Sequence, residues 1–110
     1  MRAIVMTIVG AVLLLASLLA VAVNLDQQGC VEYAVWSRDL VWARDIGADR
    51  ELTRASLAEM RAESDMPVFV LLLRDLDVLF DTRASRNDVM QAVARECIAR
   101  RGKYADEVGV

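Results

Sequence analysis

The chain has 110 residues, with 13 Lys+Arg against 16 Asp+Glu, two cysteines and no histidine. Its mild acidity argues against nucleic acid as a partner, because phosphate backbones are held by clustered cations. The missing histidine excludes an imidazole base and any Ser-His-Asp or Cys-His site, and two thiols alone fall short of the four ligands of a structural zinc site. The chain therefore reads as a non-enzyme, with no catalytic residue, no metal and no cofactor expected.

Arg2 opens the sequence, and an uncharged run follows over residues 3–23 that includes Ala20-Val21-Ala22 near its end. A basic start, an apolar stretch and a small-x-small exit form a secretory signal peptide over residues 1–22, with Ala20 and Ala22 as the cleavage signal. The run is also long enough to cross a bilayer, which takes about 20 apolar residues, so a retained transmembrane anchor over residues 3–23 is the competing reading. With Arg2 on one side and Asp26 and Glu32 on the other, both readings put the remainder outside the cytoplasm. The product is periplasmic when cut, and held at the inner membrane with its domain in the periplasm when not. Lipidation of Cys30 fits poorly, because Gln27 stands where an aliphatic residue belongs.

Residues 23–29 read as a linker. A first helix is expected over residues 30–46 with Gly47 as its stop. Cys30, Tyr33, Ala34, Ser37, Leu40 and Val41 share one side of it. Trp36 and Trp42 lie on other faces; six residues apart on a helix, they diverge by about 120°. One is expected in the core and the other exposed, and tryptophan's enrichment at interface hot spots makes the pair the candidate partner contact. Asp49 or Thr53 caps a second, more polar helix to about residue 63, with Leu52, Leu57 and Met60 as its apolar side.

Ser64-Asp65-Met66-Pro67 reads as a break and restart: a capping side chain, then proline, tolerated early in a helix where its missing N–H is not needed. The third helix, over residues 68–80, carries Phe69, Leu72, Leu73, Leu76, Leu79 and Phe80 at helical spacing, with Val70, Arg74, Asp77 and Asp81 opposite. Asp75, Asp77 and Asp81 lack the glycine-containing loop of a calcium site and read as a solvated face. Ser85 with Asp88 forms a capping pair for a last helix that stops at Gly102, with Val89, Met90, Val93 and Cys97 on one stripe. Arg100, Arg101 and Lys103 make a small basic patch that favours the helix C-terminus, and residues 103–110 read as a flexible tail.

Export makes oxidation of Cys30 and Cys97 the expected state. They lie 67 positions apart, so their bond would close nearly the whole folded region. In the loop-entropy picture such a closure stabilises by up to ~4 kcal/mol. A redox pair, usually spaced C-x-x-C, and free buried thiols are the alternatives.

From Cys30 to Cys97 the chain resembles a group of small exported proteins of Proteobacteria. The matching elements are the cysteine opening the first helix, Ala43-Arg44-Asp45-Ile46-Gly47 closing it, Leu52 and Leu57, the apolar third helix followed by Asp81, and Cys97-Ile98-Ala99-Arg100. The chain is more distantly similar to acid-activated periplasmic chaperones of the HdeA type, which implies a small helical domain with one disulfide. The expectation is an all-α bundle of about four helices over residues 30–102, preceded by the apolar segment. It would bind an unidentified protein and touch the membrane only through residues 3–23 if these are uncut. A membrane-anchored accessory protein and an acid-stress chaperone are the alternatives.

Overall fold

The computed structural model describes residues 23–104. Four helices follow one another there: α1 (Gln27–Asp45), α2 (Arg50–Glu63), α3 (Val68–Asp81) and α4 (Arg86–Ala99). Among the described residues the only extended pairing is an isolated antiparallel bridge between Asn24 and Lys103, so the fold is all-α. The apolar segment with its cleavage signal at Ala20 and Ala22, and residues 105–110, lie outside the described residues.

Helix starts follow from capping side chains. The Asp26 carboxylate accepts the Gly29 N–H at 2.7 Å, so α1 begins three residues before Cys30. Asp49 accepts the Leu52 N–H at 2.9 Å and starts α2, while Thr53 lies inside that helix. Ser85 accepts the Asp88 N–H at 3.2 Å and starts α4, as its spacing suggests. Only α3 lacks a side-chain cap: Pro67 occupies that position, and the Ser64 hydroxyl instead accepts from the Met66 N–H in the preceding turn.

α1 lies between α3 and α4, and α3 lies between α1 and α2. The side of α1 read from its periodicity, Cys30, Tyr33, Ala34, Ser37, Leu40 and Val41, is the side it buries. Ser37 is tolerated there because its hydroxyl donates to the Tyr33 carbonyl at 2.8 Å. α3 is the centre of the core. It buries Val68, Phe69, Leu71, Leu72, Leu76 and Leu79, while Leu73 and Phe80 are half-buried. Leu71 falls outside the expected stripe because α3 is covered from two sides, which demands a wider apolar arc. α2 departs most from expectation, since it buries Leu57 alone and leaves Leu52 70% exposed. In α4, Val89 and Cys97 are buried, with Met90 and Val93 half-buried.

Cys30 and Cys97 form the expected disulfide, with their Cα atoms 5.6 Å apart at one end of the antiparallel α1–α4 pair. Beside it the chain ends fasten to each other. The Tyr104 N–H donates to the Val23 carbonyl at 2.8 Å and the Leu25 N–H to the Gly102 carbonyl at 2.9 Å. This clasp corrects two expected boundaries. Residues 23–29 are no linker, since Val23 and Leu25 are buried and Gln27–Gly29 is helical. Lys103 and Tyr104 are no tail, because Tyr104 is 1% exposed. The physical reason is burial: an aromatic ring placed in the core stabilises by about 2–3 kcal/mol, enough to order the residues carrying it. Gly102 makes the close approach possible. Its φ is +71°, and a Cβ there would lie 1.8 Å from the Leu25 carbonyl oxygen.

Candidate functional site

Trp36 and Trp42 take the two different roles their angular spacing implies. Trp36 is half-buried and meets the Phe69 ring edge-on, with centroids 5.3 Å apart. Trp42 is 47% exposed. It lines an open cleft of about 490 Å³ where the end of α1 faces the start of α4, together with Arg38, Asp39, Ser85, Arg86 and Asn87.

Local order holds this cleft in shape. The Arg44 guanidinium donates to the Thr82 and Ala84 carbonyls, tying the end of α1 to the loop before α4. Arg38 pairs with Asp39 at 3.1 Å, and Arg86 reaches Asp45 at 3.9 Å. The rim therefore carries both signs of charge beside one large aromatic face. Such a surface suits a protein contact with polar and apolar parts.

A second cluster joins α1, α3 and the clasp. The Tyr33 hydroxyl donates to the Asp75 carboxylate and accepts from Arg74 at 3.2 Å, while Arg74 also donates to Asp75 at 2.7 Å. The Tyr33 and Tyr104 rings meet edge-on at 5.7 Å. Arg74 and Arg100 lie 5.6 and 4.8 Å from the Tyr104 ring centre, within cation–π range. A groove of about 210 Å³ runs past these residues to Val78 and Glu96.

Burial, and then the Asp75 charge, push the Tyr33 hydroxyl well above the ordinary tyrosine value. Burial followed by the Glu96 charge raises Tyr104 as well. Burial opposes ionisation of Arg74, but hydrogen bonding to Asp75 and its charge more than offset this and hold the guanidinium ionised. The two tyrosines are thus held neutral and Arg74 charged, and together they fasten α1, α3 and the clasp to one another.

Sequence reasoning placed Asp75 on a solvated face, and here the structure corrects it. Asp75 is half-buried against Tyr33, because α3 crosses α1 at this level and turns that edge inward. Asp77 and Asp81 are exposed, as expected, yet they face α2. Asp77 pairs with Arg50 at 3.2 Å and Arg54 at 2.8 Å, and Arg50 also reaches Asp81 while lying 5.5 Å from the Phe80 ring centre. In the basic patch, Arg100 pairs with Glu96 at 3.2 Å and packs on Tyr104, which leaves Arg101 and Lys103 as its exposed members. Tyr104 is the residue that sequence reasoning missed. Its one signal was an aromatic side chain directly after the helix stop.

Among the described residues no cluster of three or more His, Cys, Asp or Glu could hold a metal ion, and no helix is long and apolar enough to cross a membrane. Comparison with protein-family models, with curated proteins and with solved structures found no match to this chain.

Proposed function

We propose that this chain is an exported, non-enzymatic helical module that binds another protein in the periplasm through the Trp42 cleft. The observation that carries the reading is Trp42 itself, held 47% exposed on a rigid corner while Trp36 is packed against the core. A half-exposed tryptophan with a polar rim has the composition of an interface hot spot, and truncating such an anchor lowers affinity by about 2 kcal/mol or more. Export is supported by the apolar run after Arg2 and by a buried disulfide, a bond that persists in oxidising compartments. The membrane-anchored accessory protein is the same module with residues 3–23 retained.

The test places a photo-crosslinking residue at position 42 in cells exporting the protein, then measures affinity for the captured partner. Trp42→Ala is expected to weaken that binding by roughly 30-fold while leaving the thermal transition in place. A partner bound equally well by Trp42→Ala rules this surface out.

A second reading, an acid-stress chaperone, is favoured by the α2–α3 contact. One buried leucine and a set of exposed ion pairs hold α2 in place. Dye binding together with suppression of client aggregation at about pH 3 supports it, and absence of both rejects it.

A further inference from the structure

α1 is apolar on two sides. One side, from Cys30 to Val41, is buried against α3 and α4. The other carries Val31, Val35, Trp42 and, at the C-cap, Ile46, which at 100° per residue fall within an arc of about 60°. Val31, Trp42 and Ile46 are 52, 47 and 60% exposed and Val35 is half-buried, so this stripe stays largely open. From Val31 to Ile46 it runs about 22 Å along the helix. Exposed apolar residues scattered singly are ordinary on a soluble surface, but a contiguous row at this spacing is what a helix presents to another helix.

The row is the same read from either end. Val31 and Ile46, Val35 and Trp42, and Arg38 and Asp39 lie at equal distances from the point between residues 38 and 39. When two copies of a helix pack antiparallel about a two-fold axis, residue i meets j and j meets i. An axis at that midpoint sets Val31 level with Ile46 of the second copy, and Val35 level with Trp42 of the second copy. Arg38 and Asp39 flank the midpoint and already bind each other at 3.1 Å, so covering it buries no net charge. A partner of unrelated sequence would gain nothing from this symmetry.

We propose that the partner at the Trp42 surface is a second copy of this chain, packed antiparallel along the open side of α1. The inference rests on the reading of Trp42 as an interface anchor and names what the anchor meets. A seam one helix wide is small for a specific interface, so association at micromolar concentrations is expected.

The experiment follows the mass of the full-length, oxidised chain in a mild detergent by sedimentation, from about 1 to 100 μM. Two variants are compared with it, Val31→Glu and Ile46→Arg, at positions more than half exposed on which the fold does not depend. The natural chain is expected to pass from monomer to dimer, and each variant to weaken the dimer at least ~10-fold. Mixed in equal amounts, the two variants should recover affinity to within about 3-fold of the natural chain. In that mixed pair one end of the seam joins Glu to Arg, while the other keeps the natural Val31 and Ile46. A variant that merely misfolded would show no such recovery. Weakening without recovery in the mixture overturns the antiparallel pairing, and a dimer indifferent to both substitutions overturns it as well. A chain that stays monomeric to about 100 μM also overturns the proposal. The Trp42 reading then stands if a photo-crosslinker at position 42 captures a different protein, and falls with the proposal if it captures none.

Discussion

The Tyr33 hydroxyl lies between the Asp75 carboxylate and the Arg74 guanidinium, and its ring stands edge-on to Tyr104. Burial and Asp75 raise its folded pKa above the unfolded value of about 10. A group raised on folding contributes its full stability below the unfolded pKa and loses it as pH climbs past that value. Alkali should therefore destabilise this protein progressively above about pH 10. Tyr33→Phe removes the ionising group, and its thermal midpoint should fall less steeply than that of the natural chain between about pH 9 and pH 11. At neutral pH the same substitution should destabilise by about 1–3 kcal/mol, because it takes a charge-assisted hydrogen bond from a half-buried carboxylate. Equal alkaline slopes in thermal melts would show that Tyr33 ionises alike in both states. The position of Tyr33 was legible from helical spacing. Its partnership with Asp75 was not, since nothing local to either residue states which helix lies opposite.

α2 is attached differently from its three neighbours. Leu57 is its only buried residue, and Arg50 and Arg54 add ion pairs to Asp77 and Asp81 of α3, with Arg50 also lying over the Phe80 ring. Hydrogen bonds from Arg54 and then Arg50 hold the Asp77 carboxyl below its ordinary value. A depressed carboxylate contributes its stability above the unfolded pKa and loses it as pH falls through the folded one. Acid should thus loosen α2 from α3 below about pH 4, before α1 and α4 are affected. Amide-exchange protection measured helix by helix is expected to drop several-fold in α2 first. Asp77→Asn should lower α2 protection near neutral pH and reduce its further loss in acid. Loss of protection in all four helices at one pH would instead mean a single cooperative acid transition. The sequence shows α2 as the most polar helix, but Leu52, Leu57 and Met60 alone do not reveal which of them meets a partner. The buried side of α1 was legible from helical spacing, although Ser37 lies within it and Val31 and Trp42 are exposed outside it. α3 was less so, since contact on two sides buries Leu71 as well as the main stripe.

Across the whole molecule, closure comes from two fastenings at one end, the Cys30–Cys97 bond and the pairing of residues 23–25 with 102–104. A domain of this size supports only a modest core, so loss of the covalent fastening should be felt throughout. Replacing both cysteines by serine is expected to lower the thermal midpoint by more than about 10 °C, in line with a loop-closure contribution of up to ~4 kcal/mol. A midpoint within about 3 °C of the natural chain would place the closure in the clasp and core packing instead. The sequence by itself determined that four helices follow one another, the cap at Ser85 and the inner face of α1, and it narrowed the α2 cap to Asp49 or Thr53, because capping and periodicity depend on residues within one turn of each other. It also supplied the two cysteines, and export chemistry suggested their pairing. Only the tertiary structure decided that Tyr104 and Val23 enter the core, that Asp75 turns toward Tyr33, and that Trp42 stays outside. Each of these depends on which distant segment lies opposite, and that is set by how the apolar faces of four helices can be buried together rather than by any local signal.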